Sequence, residues 1–337
     1  MQIMNLSNFF SSYIMGMYVA QAFSHSLIAA IIVDRAIQAW RITNPVVRQR
    51  FSLIVMVFPI ISFPLYQLIN PQRSSVSFRL EALFDINRWL NVELWGKVPL
   101  NVLFVFILVG AALIFLLQEM IPIVRHMFQS REPGTEKYAE EELLENFSID
   151  EMLVDFPGEK PRISLIDNDE LIIFSITGKK TVIFLSTGLM RVLSEEETRA
   201  AIAHELAHVA RSKRPLLVII YIIRILMFFN PVVLVEFRRI VHEEEKICDD
   251  IAISLTGKQD VLAGTLKKFN HTVEESKLDS VKNLSAMRAS LEDYSHSVHM
   301  ESRINRLEDG SIRNTGGEWF RFLLTLSAIA VINYFIV

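Results

Sequence analysis

Cysteine is almost absent. Cys248 is the only one in 337 residues, so no disulfide can form within the chain and a disulfide-stapled scaffold is excluded. Glycine (12) and proline (11) are scarce, which leaves no long flexible linker. Charge is thin too: Asp, Glu, Lys and Arg make up 21% of the chain, against about 25% in an ordinary soluble domain. The net charge is only −4 and no long basic stripe occurs, so no nucleic-acid partner is expected. Neither G-x-x-x-x-G-K-[ST] nor G-x-G-x-x-G is present, and no nucleotide site announces itself.

Apolar residues fill the gap. They make up 51% of the chain, with 23 Phe, and they gather in long runs. This rules out intrinsic disorder, which needs low hydrophobicity and high charge. Runs at about Asn8 to Val33, Phe51 to Ile69 and Leu100 to Leu117 come close to or exceed the roughly 20 residues that cross a bilayer. The first lacks the basic start and small-residue cleavage site of a secretory signal. Pro59 and Pro64 lie inside the second, where a membrane helix tolerates them. A fourth run, Leu216 to Val235, contains Arg224 and Asn230-Pro231, and a fifth runs from Trp319 to Val337. Arg35, Arg41, Arg48 and Arg50 face a single acid, Asp34, between the first two runs. Positive charge stays inside, so the N-terminus is expected outside and the 34–50 loop in the cytoplasm, with the 71–98 loop external. Arg125, Arg131 and Lys137 follow the third run on the expected cytoplasmic side.

Residues 132–214 have a water-soluble character. Glu140, Glu141, Glu142 and Glu145 read as a solvated helix face. Leu171 to Ile176 and Thr181 to Leu185 read as strands of a hairpin around Gly178-Lys179-Lys180. Ser194-Glu195-Glu196-Glu197 is a capping box, which predicts a helix from Ser194 to about Ala210.

Inside that helix lies His204-Glu205-Leu206-Ala207-His208, an H-E-x-x-H. Positions i and i+4 share a face, so both rings can bind one zinc ion, with Glu205 beside them as general base. A catalytic zinc site needs a third protein ligand and an open position. Downstream, His242-Glu243-Glu244-Glu245-Lys246-Ile247-Cys248-Asp249-Asp250 offers one. Glu245 and Asp249 are again i and i+4. This favours Glu245 as ligand and Asp249 as the group behind a histidine, holding its tautomer. Spacing alone also allows His242, Glu243 or Glu244. His296, His299 and Arg303 are candidates for stabilising an oxyanion or binding substrate. Cys248 reads as a small buried helix residue, with a place near the metal or a thiol switch as alternatives, Asp250 as a local cap or partner, and His25 as a hydrogen-bonded histidine within its span, with an intramembrane site as the alternative.

Phe229-Asn230-Pro231 between the two motifs, and Cys248 before Asp249, complete a pattern that resembles the BlaR/MecR-type membrane metallopeptidases. The stretch before the motif is similar to the wider gluzincin group, which includes HtpX and the CAAX-processing proteases. The resemblance covers about residues 160–255. It implies a zinc endopeptidase with His204, His208 and Glu245 as ligands of one Zn2+ and Glu205 as base. The chain stops within its last apolar run, where β-lactam sensors carry a penicillin-binding domain, so antibiotic sensing is not expected.

The expected fold is a mainly α polytopic membrane protein with a gluzincin-like protease domain and a small β-hairpin or sheet. Residues 1–131 supply three transmembrane helices, 132–214 the cytoplasmic H-E-x-x-H region, and 237–316 the second half of the protease. A C-terminal transmembrane helix spans 317–337. His208 and Glu245 must meet at one ion, so 215–236 cannot simply cross the bilayer. It should be re-entrant, interfacial, or a short hairpin broken at Asn230-Pro231. Arg224 should then snorkel or line a wet groove. Thr181 to Leu185 or its partner strand should offer an edge to an extended substrate. The partners expected are a membrane-associated or cytoplasmic polypeptide and the lipid bilayer of the plasma membrane, with a homodimer compatible. A housekeeping protease of the HtpX/CAAX kind is one alternative. A non-catalytic zinc receptor or scaffold is another, but such a protein has no need of Glu205.

Overall fold

The computed structural model describes residues 9–10, 13–121, 161–176, 181–212, 216–278, 299–310 and 318–337. The acidic run at 140–145, the hairpin turn at 177–180 and His296 lie outside these. The protein is a mainly helical membrane protein with a small sheet, and the chain divides into two compact units.

The first unit takes Met1–Pro133, Leu216–Glu243 and Arg313–Val337. Helices α1 (Ile14–Ala39) and α2 (Pro45–Ile69) pair closely. Asn44 starts α2 by accepting from the Val46 and Val47 amides, with Pro45 at the first helical position, where its missing N–H loses nothing. α2 passes through Pro59 and Pro64 without ending. Arg73 is fully buried beyond it and donates to Gln21 Oε1 and to the Asn333, Tyr334 and Ile336 carbonyls. His25 contacts Ser62 Oγ at 2.7 Å. Short helices α3 (Val76–Glu81) and α4 (Ile86–Leu90) and a two-stranded ribbon, β1 (Glu93–Leu94) with β2 (Val98–Pro99), lead into α5 (Leu100–Phe115). One π-helical turn extends α5 to Met120. Ile14–Ala39, Pro45–Ile69 and Leu100–Met120 are each long and apolar enough to cross a membrane.

The second unit takes Gly134–Pro215 and Glu244–Ile312. Its sheet has the order β3 (Arg162–Ile166), β5 (Val182–Ser186), β4 (Ile173–Ile176). The two strands read from sequence do pair antiparallel, with Phe174 opposite Phe184. β3, not anticipated, lies parallel on the other side. β5 is therefore the central strand among the described residues: of the two strands expected to offer an edge, Thr181 to Leu185 is covered on both sides, whereas its partner β4 lies at the margin of the sheet.

Ser186 caps α6 (Thr187–Val192), and Gly188 sits so close to the Asp169 carbonyl that no Cβ would fit. α7 (Glu195–Ser212) follows. Its capping box forms as read: Glu197 Oε2 accepts from the Ser194 amide at 2.8 Å and Ser194 Oγ from the Glu197 amide at 3.3 Å. One face of α7 packs Ile202, Leu206 and Val209 on Leu165, Ile183, Leu185 and Leu189. The alanines Ala200 and Ala203 pack on Ala252, Leu262, Leu266, Ile304 and Leu307. Small residues at these two positions let helices approach α7 closely.

The fourth apolar run is two helices. α8 (Leu216–Leu226) stops at a turn over 227–229, and Asn230 restarts the chain as α9 (Pro231–Thr256) by accepting from the Val232 amide. Arg224 neither snorkels nor faces water. It is fully buried, 3.2 Å from Glu119 and over the Phe115 ring, because a paired guanidinium can be buried where a bare one cannot. α9 runs through the division at Glu243, and α10 (Gln259–Leu278), α11 (299–308) and α12 (Glu318–Tyr334) complete the chain. α12 packs Phe322, Leu326 and Ile329 against α1 and α2. Its 17 residues span about 26 Å, a little under a hydrocarbon core of about 30 Å.

Candidate metal centre

α7 presents His204 and His208 one turn apart, and their rings meet edge to face with Nε2 atoms 3.1 Å apart. α9 brings Glu245 to them: Oε2 lies 3.4 Å from His204 Nε2 and Oε1 3.5 Å from His208 Nε2. One ligand atom from each of the three falls within 4.8 Å of the others, the single such group of His, Cys, Asp and Glu among the described residues. The rival acids of the run are engaged elsewhere. Glu244 is buried in a two-point pair with Arg211, and Glu243 pairs with Arg48 at 3.1 Å. Glu205, half-buried, follows His204 on α7.

A second layer stands behind these side chains. Asp249, fully buried, places Oδ1 3.0 Å from His204 Nδ1, a close contact rather than a straight hydrogen bond. Arg303 from α11 grips Asp249 with Nε at 2.8 Å and Nη2 at 2.6 Å and reaches Glu245 Oε2 at 3.1 Å. Arg303 thus clamps Asp249 and Glu245, and its Nη2 also lies 3.5 Å from His204 Nε2. Arg306 bonds Asp250 and the Lys246 carbonyl, fastening α11 to the same stretch of α9. His299, the first described residue of α11, lies one turn before Arg303, half-buried and on the same face. Cys248 Sγ lies 3.5 Å from His208 Nδ1.

The electrostatics suit a cation. Burial works against charge on Glu245, yet the bond to His204 and the Arg303 guanidinium outweigh it and hold the carboxyl near 2. Asp249 is likewise held well below the usual carboxylate range, burial being overcome by Arg303 and His204. Burial also opposes protonation of His204, but contacts with Asp249 and Glu245 raise it to about 9. His208 is lowered by burial and by the His204 charge beside it. The surrounding carboxylates thus favour positive charge between the two rings, in the place where a metal ion would supply it. Two imidazoles and one carboxylate are the donor set of many catalytic zinc sites, and these residues fit one.

Sequence reasoning had no signal for the Arg211–Glu244 pair or the Arg303 clamp, since both join residues far apart in the chain.

The family model described as BlaR1 peptidase M56 matches residues 26–260, more than half of the chain. A comparison with curated proteins yields no match.

Proposed function

The chain belongs to the BlaR1 peptidase M56 family, a family of membrane metallopeptidases, and from that premise we propose that it is a zinc-dependent endopeptidase. It would cleave a membrane-associated or cytoplasmic polypeptide. The observation that carries this reading is the convergence of His204, His208 and Glu245, with Asp249 behind His204. These three side chains would hold the ion. When bound, zinc supplies Lewis-acid polarisation of a carbonyl and acidifies water. Glu205 takes the proton from the attacking water and passes it to the leaving amine. Asp249 keeps His204 in one tautomer and orientation. His299 or Arg303 of α11 would donate to the developing oxyanion. An extended substrate would add to the outer edge of β4, which packs on α7, and be read by main-chain hydrogen bonds.

The loop charges support a cytoplasmic protease unit and an external N-terminus. The break at Asn230-Pro231 supports a 215–236 segment that turns back without crossing. Cysteine-accessibility labelling that placed positions 212 and 245 on opposite sides of the membrane would reject this arrangement.

The activity is tested by incubating the full chain in nanodiscs with unfolded casein. Wild type should cleave, lose activity to a chelator and regain it with zinc, while Glu205→Gln stays inactive with its zinc in place. Equal cleavage by Glu205→Gln would overturn the assignment of the base.

A further inference from the structure

The two histidines are held from behind by unlike groups. His204 has a carboxylate at its Nδ1, and His208 has a thiol. We propose that Cys248 is a positioning residue for His208, its sulfur accepting the Nδ1–H and so leaving the Nε2 lone pair aimed at the centre. This rests on the metal-centre reading above and goes beyond it by giving Cys248 a defined role at His208.

Three observations carry it. The Nε2 atoms of both histidines face each other and Glu245, so Nδ1 is the nitrogen left to carry the proton on His208. The sulfur lies 3.5 Å from that nitrogen, within reach of an N–H···S bond, and Cys248 is wholly buried, so bulk water cannot readily replace it. Residues 245, 248 and 249 also share one face of α9, at i, i+3 and i+4. The turn that delivers the carboxylate ligand therefore delivers both groups that orient the histidines.

Charge explains why the acceptor is a thiol. Glu244, Glu245 and Asp249 already crowd this turn, and their cations are taken: Arg211 by Glu244, Arg303 by Asp249 and Glu245. Another carboxylate at 248 would be buried with no partner of its own. A thiol accepts a hydrogen bond while neutral.

The test separates the acceptor from its volume. Cys248→Val fills similar space with no acceptor, and Cys248→Ser keeps one. Zinc affinity is measured for the full chain by competition with a chelator, and the Nδ1–H of zinc-loaded protein is followed by 15N-histidine NMR. Losing an outer partner typically weakens metal binding about 10–100-fold, and a weak sulfur acceptor belongs at the low end. Cys248→Val should therefore bind zinc about tenfold more weakly and lose the protected Nδ1–H signal, while Cys248→Ser stays within about threefold of wild type and keeps it. Wild-type affinity in Cys248→Val, or equal weakening in both variants, would overturn the proposal and leave the metal centre standing. Failure of wild type itself to bind zinc would remove the metal centre and this inference with it.

Discussion

Replacing Arg303 by Met removes the guanidinium shared by Asp249 and Glu245 while keeping most of its apolar bulk. Arg303 is 7% exposed and Asp249 0%, so water cannot take over the lost hydrogen bonds. Removing one partner of a buried pair costs about 3–5 kcal/mol, because the other charge is left uncompensated. At about 2–4 °C per kcal/mol for a domain of 150–250 residues, the melting temperature should fall by about 6–20 °C. The measurement is thermal unfolding in detergent, with and without zinc. Zinc should restore part of the loss, since it compensates Glu245 but leaves Asp249 bare. Arg303→Met/Asp249→Leu replaces both partners by apolar groups and should recover at least half of the single-mutant loss, showing coupling between them. A fall below about 2 °C, or a double variant whose loss equals the sum of the singles, would refute the clamp.

Other perturbations follow from the same geometry. Gly188→Ala drives a methyl group into the Asp169 carbonyl, a backbone atom that cannot rotate away, and should destabilise by about 1–3 kcal/mol in a thermal melt; an unchanged melt would contradict the tight approach. Ser194→Ala deletes the cap of α7 and should cost about 1 kcal/mol, measured the same way. Glu197 is opposed by burial, but its bonds to Lys268 and Ser194 win and lower its pKa. The stability it adds is thus present above its ordinary value of 4.5 and lost as pH falls through its lower folded value, so the gap between wild type and Glu197→Gln should close on acidification. A gap that widened instead would contradict that sign.

What was legible in the sequence is what short-range rules govern. The capping box, the i, i+4 pairing of the histidines and the length of the first three apolar runs each depend on neighbours within a few turns. Glu245 stood out from Glu243 and Glu244 through its spacing to Asp249 and through the family resemblance, and in the structure Arg48 and Arg211 pair with the other two. The features that escaped are set by long-range packing. β3 pairs parallel with β5, a register no local pattern encodes. Arg224 looked like a charge that must reach water because its partner, Glu119, lies 105 residues earlier. Arg303 lies 54 residues beyond Asp249 on a helix of its own, so its role as a carboxylate clamp is visible only once α11 is docked on α9.

Metal content shows whether His204, His208 and Glu245 together hold a zinc ion. Purified wild type, His204→Ala, Glu245→Ala and Glu244→Ala would be dialysed against buffered zinc and assayed by elemental analysis. Wild type and Glu244→Ala should hold about one zinc per chain, and His204→Ala and Glu245→Ala should retain none. Full zinc content in Glu245→Ala alongside its loss in Glu244→Ala would contradict this ligand set.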